Sequence, residues 1–356
     1  MKMGSLKLFA IGCVVLLAGC GGKGGETPTS PTPTALTPAA PPPPVAAPSG
    51  LRLQSLNIRD RAAVLSWDAV ADATSYIVEV GKSTGDSGVG SITTGNPNTS
   101  LNLTDLPAGG YVYARVRAQQ GDRTSTSSSE SRFYLQDYKY LVEALMLQTG
   151  PYWPAGVPFD GVRGWPAGTT VRIRVSNTVS PEQRRGIDGI VAQLAQSGAP
   201  YRATVEVVNS NQAFIVRNQI HVVTLQNACG TGLGCTTFAD TSLKQTTAQI
   251  FGSAWIHLGS ASERGNAADV SAHEMGHALF GLWHVNYQKV PEAPQFGSRF
   301  GTLEFPFLKM YTNVDDASRF LDKLSDIEMQ VAQDVFRSGI TAGARRADLK
   351  ARGLIH

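Results

Sequence analysis

Between residues 49 and 136 apolar and polar side chains alternate with a period of two. Tyr76, Val78 and Val80 share one side of "SYIVEVG", and Leu65 and Trp67 share one side of "AAVLSWDAV". In "YVYARVRA", Val112, Ala114, Val116 and Ala118 take one side and Arg115 and Arg117 the other. Such alternation sends successive side chains to opposite faces of a strand. Turn-rich runs, "GNPNTS" and "LPAGG", separate the segments. Short alternating strands punctuated in this way predict a β-sandwich.

Beyond residue 137 the period lengthens. "YKYLVEALMLQTG" predicts a short connecting helix and "TTVRIRVS" (169–176) a strand. "SPEQRRGIDGIVAQLAQSG" carries its own boundaries. Ser180 is the N-cap, Pro181 opens the first turn, Gln183 completes a capping box and Gly198 stops the helix. Ile187, Ile190, Val191 and Leu194 form its apolar stripe. "RATVEVVN", "QIHVVTL" and "TAQIFGSAWIHLG" predict three more strands. "LSDIEMQVAQDVF" predicts a later helix, with Ser325 and Glu328 as capping box and Leu324, Ile327, Val331 and Val335 on one face. Strands interleaved with helices predict a mixed α/β sheet with helices packed on it.

Composition adds limits. The chain of 356 residues is 42% hydrophobic and 17% charged, enough for two cored domains. A formal charge of +3, with no lysine-arginine run, argues against a nucleic-acid partner. Lys2 and Lys7 precede "LFAIGCVVLLAG", an apolar run too short for a standard membrane span. It ends in "LAGC", which resembles a bacterial lipobox and implies a lipid on Cys20. Gly21 stands where an aspartate would retain a lipoprotein at the inner membrane, so an anchor in the outer membrane or at the cell surface is expected. Residues 21–48, rich in Gly, Pro, Thr and Ala, predict an extended tether. Removal of Cys13 with the signal and lipidation of Cys20 leave Cys229 and Cys235 in "CGTGLGC". Outside the cytoplasm such a pair predicts a disulfide closing a small loop. A pair of metal ligands is the alternative, but no further cysteines exist to complete that site.

The chemistry concentrates in "HEMGHALFGLWH" (273–284), which holds three of the chain's six histidines. On a helix His273 and His277 lie about 40° apart, one turn above the other, and can reach one metal ion. Glu274 beside them can take a proton from a metal-bound water, whose pKa falls to about 7 on zinc. Ala272, Met275, Ala278, Leu279 and Phe280 make the segment apolar, so it is expected to be buried. Gly281 is expected to turn the chain back and bring His284 in as third ligand.

Two resemblances follow. The Trp67 to Tyr76 spacing, "LPAGG" before "YARVRA" and a serine-rich last strand are similar to a fibronectin type III module. That likeness implies a spacer or docking unit. His273, Glu274, His277, Gly281 and His284 resemble the zinc helix of the metzincin metallopeptidases, His-Glu-x-x-His-x-x-Gly-x-x-His. Here the Gly-x-x-His unit comes one residue late: Phe280 and Trp283 stand at the family's glycine and third histidine. A helix longer by one residue, or a bulge before Gly281, would absorb the shift. Glu292 or Glu304 is the competing third ligand. "LKMYTN" sets Met310 where matrixin-like members have their methionine turn, and Leu324, Ser325, Asp326 and Ile327 resemble the helix that follows it. Tyr311 is out of register with the tyrosine ligand of some relatives.

The resulting layout is a signal (1–20), a tether (21–48), a fibronectin type III-like domain (49–136), a connector (137–168) and a metzincin-like α/β domain (169–356). The resemblance implies hydrolysis of peptide bonds in extracytoplasmic proteins, with Zn2+ as cofactor and Glu274 as general base. The substrate is expected as an extended strand on a sheet edge, for which residues 249–259 are the sequence candidate. His257 is expected as a half-exposed strand residue and Asp269 as N-cap or partner of a ligand. The rival function is an adhesion or scaffold lipoprotein whose zinc domain is inactive.

Overall fold

The computed structural model describes residues 42–147, 161–225, 234–242, 250–259, 267–283 and 322–356. The alternating segments form two antiparallel sheets. One joins β1 (Arg52–Asn57), β2 (Ala62–Ser66) and β5 (Ser100–Leu103). The other joins β3 (Ser75–Gly81), β4 (Gly90–Thr93), β6 (Gly110–Gln120), β7 (Arg123–Thr124) and β8 (Ser131–Leu135). The inward sets are those the alternation marks: Leu65, Trp67, Tyr76, Val78, Val80, Val112, Val116 and Phe133 are buried. Trp67 and Tyr76 meet edge to face at 5.3 Å in the middle of this core. The region is a fibronectin type III-like β-sandwich.

Helix α1 (Tyr138–Leu147), the helix expected in this stretch, begins just after β8, and Leu141 to Leu147 are all buried. A mixed five-stranded sheet follows, ordered β10 (Arg202–Val208), β9 (Thr170–Ser176), β11 (Gln219–Thr224), β13 (Phe251–Leu258), β12 (Gly234–Asp240). The first four run parallel and β12 runs antiparallel to β13. Parallel neighbours need a crossover, and α2 (Pro181–Ser197) supplies it between β9 and β10. Its capping box of Ser180 and Gln183 and its left-handed stop at Gly198 are both present. Helices α3 (Ala267–Met275), α4 (Asp326–Arg337) and α5 (Arg346–Ala351) follow the sheet in the fold. Helix α4 starts with the box of Ser325 and Glu328. Gly186 of α2 lets α3 approach so closely that a Cβ there would lie 2.0 Å from the Ala268 carbonyl oxygen.

"GCTTFAD", for which the sequence predicts no element, forms strand β12. Because β12 pairs along β13, the segment 249–259 is interior to the sheet and not its edge. The edge beside α3 is β12 itself. The sandwich and the α/β layer share one continuous buried cluster, from Ile58 to Ile355. Polar contacts reinforce it: Arg59 pairs with Asp334 of α4 at 2.9 Å, and Tyr138 donates to the same carboxylate oxygen at 2.8 Å.

Candidate metal centre

Helix α3 is buried along its whole length and continues into a π-helical turn, Gly276–Phe280, that ends at Gly281. A π-turn holds one more residue than the α-turn it replaces. It is the kind of bulge before Gly281 that the sequence allows for. Gly281 caps the turn at φ 67°, a left-handed conformation that disfavours any side chain. It also has no room for one: a Cβ there would lie 2.3 Å from the Arg163 carbonyl oxygen.

A helix end leaves carbonyls without helical partners, and burying them unpaired is unfavourable. Here they are taken up by buried side chains. Trp165 donates its indole N–H to the Ala278 carbonyl at 2.8 Å, and the Tyr201 hydroxyl donates to the Leu279 carbonyl at 2.6 Å. The Gly281 N–H donates to His277 O at 3.1 Å. The Trp283 N–H reaches the Leu145 carbonyl in the last turn of α1 at 2.8 Å. The segment that carries the chain toward residue 284 is thus held from several sides.

His273 and His277 lie on adjacent turns with Nε2 atoms 3.0 Å apart and rings crossing edge to face at 4.5 Å. His277 Nδ1 faces the Leu282 carbonyl at 2.7 Å. A carbonyl only accepts, so Nδ1 carries the proton and Nε2 presents its lone pair toward His273. Burial lowers the His277 pKa to about 4; the Leu282 hydrogen bond opposes this and the Arg163 charge adds to it. The ring is therefore neutral near pH 7, as a metal ligand must be. Arg163 is itself buried, with its guanidinium over the rings of Phe238 at 4.4 Å and Trp283 at 4.7 Å. Desolvation pulls its pKa down to about 10, so it stays charged.

Glu274 is 6% exposed. Burial raises its pKa to about 7, and a hydrogen bond from Thr236 of β12 partly offsets the rise. The Thr236 hydroxyl lies 2.6 Å from Oε2 and 3.0 Å from the backbone carbonyl of the same residue. A carboxyl group that titrates near neutrality beside two convergent imidazoles can exchange a proton under ordinary conditions.

Asp269 lies inside the first turn of α3, buried, and not ahead of the helix as an N-cap. His257 is a partly exposed residue of β13, opposite Cys235 of β12. His284, Met310, Cys20, Cys229, Glu292, Glu304 and Tyr311 lie outside the described residues. Among the described residues no group of three or more His, Cys, Asp or Glu side chains is gathered at one point. Thr236, Arg163, Trp165 and Tyr201 escaped the sequence reading. Thr236 and Phe238 do alternate in "TTFAD", a weak strand signal; the other three carry no local signal, because their partners are 75 to 120 residues away.

No protein-family model matches the chain, and no curated protein matches it. Solved structures similar to part of it are fibronectin type III-like. A Fn3-like protein from Clostridium thermocellum is 26% identical, over 25% of this chain and 90% of its own, with a TM-score of 0.22. A myokine structure is 23% identical, over 26% of this chain and 99% of its own, with a TM-score of 0.22. The third fibronectin III domain of a human protein is 20% identical, over 26% of this chain and 84% of its own, with a TM-score of 0.23. Scores this low carry no argument, so the assignment of the sandwich rests on its strand pairing and core.

Proposed function

We propose that the chain is a zinc-dependent endopeptidase of metzincin type, held at the cell envelope by a lipid on Cys20. The observation that carries this reading is the 3.0 Å approach of the His273 and His277 Nε2 atoms, with His277 Nδ1 engaged by the Leu282 carbonyl. Two imidazoles whose ring nitrogens converge suit a borderline-soft cation such as Zn2+. The carbonyl partner of His277 supplies the orienting contact that metal-bound histidines commonly have.

His273, His277 and His284 would hold the metal, with Met310 beneath the site. Bound there, zinc would act as a Lewis acid and bring the pKa of a water molecule to about 7. Glu274 takes the proton from the attacking water and returns it to the leaving amine. The residues Trp165, Tyr201 and Arg163 keep the turn rigid and exclude water from beneath it. The substrate lies as an extended strand along β12, whose outer edge pairs with no strand among the described residues. The sandwich serves as spacer or docking unit, and Cys229 and Cys235 form a disulfide in the oxidising envelope.

Digestion of casein by zinc-loaded wild type and by zinc-loaded Glu274→Ala tests the reading. Cleavage by wild type that vanishes in the variant is expected. Equal inactivity of both would favour the scaffold function. Zinc content should fall in His284→Ala; unchanged stoichiometry would hand the third position to Glu292 or Glu304.

A further inference from the structure

We propose that Thr236 and Gly234, on the edge strand β12, form a socket that fixes the Glu274 carboxylate in its working position. The inference deepens the endopeptidase reading and rests on it. Three observations carry it. Thr236 is the only side chain, among the described residues, that hydrogen-bonds the Glu274 carboxylate, and it does so at 2.6 Å. Its hydroxyl also lies 3.0 Å from the backbone oxygen of Glu274, so its single proton faces both acceptors, with the carboxylate the nearer. At Gly234 the strand leaves space for the side chain. A Cβ there would lie 2.9 Å from Glu274 Cγ, 3.0 Å from Val270 Cγ1 and 3.3 Å from Glu274 Oε1.

A glutamate has three side-chain torsions, and a base that samples them all spends little time where it can act. The socket removes that freedom from two directions: Gly234 sets the path of Cγ and Thr236 holds Oε2. Oε1 is then the oxygen left to exchange a proton. The same strand offers its outer edge to an extended substrate. Base and scissile bond would thus be referenced to one rigid element, and a bound peptide would need no separate adjustment of Glu274. Thr236 is a positioning residue, since it acts through Glu274.

The test compares Thr236→Val, Thr236→Ser and Gly234→Ala with wild type, all in the zinc-loaded full chain. In Thr236→Val, kcat on a peptide substrate should fall about 10-fold with KM, zinc content and melting temperature unchanged. Thr236→Ser keeps the hydroxyl and should recover most of that loss. Crystal structures supply a readout besides activity: Glu274 should leave its position in Thr236→Val and Gly234→Ala and keep it in Thr236→Ser. Unaltered kcat together with an unmoved carboxylate in Thr236→Val overturns the socket. A kcat loss matched by loss of zinc or of melting temperature overturns it too, in favour of a purely structural threonine. If wild type cleaves nothing while the carboxylate moves as stated, the endopeptidase reading fails and the socket stands.

Discussion

The sandwich and the α/β layer handle polar groups differently. Among the described residues, the polar side chains classed as buried in the sandwich carry no charge: Ser66, Ser125, Ser128 and Gln136. Its charges pair on the outer face, where Glu79 meets Arg115 at 3.2 Å and Arg117 at 2.8 Å. The α/β layer buries groups that can carry charge: Glu143, Arg163, His221, Asp269, His273, Glu274, His277 and Glu328. Moving such groups out of water is unfavourable, so each needs a reason. Glu143 has Arg346 at 2.8 Å, and Glu328 closes a capping box. Arg163 packs among aromatic rings. Those are structural reasons. Glu274 has none of comparable kind: it caps no helix, and Thr236 is its side-chain partner. Burial of an ionisable group therefore marks a site only after the architectural uses have been set aside.

The largest effect should come from Glu274. If its burial serves chemistry, Glu274→Ala lowers the cleavage rate by about 100-fold or more. Zinc content stays the same, and the melting temperature does not fall, since a desolvated carboxyl group has been removed. A marked loss of stability would move Glu274 to the architectural class.

Glu328 sharpens the contrast through pH. Burial, only partly offset by the Ser325 hydrogen bonds, raises its pKa to about 7. As pH rises above about 4.5, the unfolded chain loses this proton first, while the folded chain holds it until about 7. The folded state then binds more protons, so its stability falls across that window and levels off above it. Glutamine can accept the same Ser325 N–H without titrating. The stability gain of Glu328→Gln over wild type should grow between those limits, by up to about 3 kcal/mol. Urea midpoints at pH 4, 5.5 and 7.5 measure it, and a gap independent of pH would discard the buried-proton account.

Glycines in the two regions offer a matched pair. Gly95 in the sandwich has φ 68° and nothing within 4 Å of an added Cβ, whereas Gly281 has φ 67° and the Arg163 carbonyl oxygen at 2.3 Å. Gly95→Ala should lose about 1 kcal/mol from backbone strain alone. Gly281→Ala adds a backbone clash and should lose about 2 to 3 kcal/mol. Equal losses in chemical denaturation would mean that the turn relaxes freely.

Ion pairs should show the smallest difference. Arg346→Met leaves the Glu143 carboxylate, 2% exposed, without this partner and should cost about 2 kcal/mol. Arg117→Met leaves Glu79 near water with Arg115 still beside it and should cost less than about 1 kcal/mol. Thermal melts of both variants provide the comparison.

Much of the fold was legible because its signals are local. Sandwich strands announce themselves by alternation, and both capping boxes lie within four consecutive residues. The left-handed stop at Gly281 follows from the absence of a side chain. Strand β12 carries little local signal, because "GCTTFAD" has one large apolar residue, Phe238. Taking 249–259 as the sheet edge follows from that weak signal, since an edge is defined by what pairs beside it.

The pairing of histidines at a helical repeat, with a glutamate next to the first, was settled by the chain alone, because 3.6 residues per turn leaves those side chains no other arrangement on a helix. What the tertiary structure decided is how the helix ends and what surrounds the acid. The π-turn is favoured where Trp165, Tyr201 and Leu145, far away in sequence, take up or supply backbone partners. Thr236 reaches Glu274 only because an antiparallel strand folds back beside α3. Local periodicity records which way a side chain points; which atoms it then meets depends on segments dozens of residues away, and no short stretch encodes that.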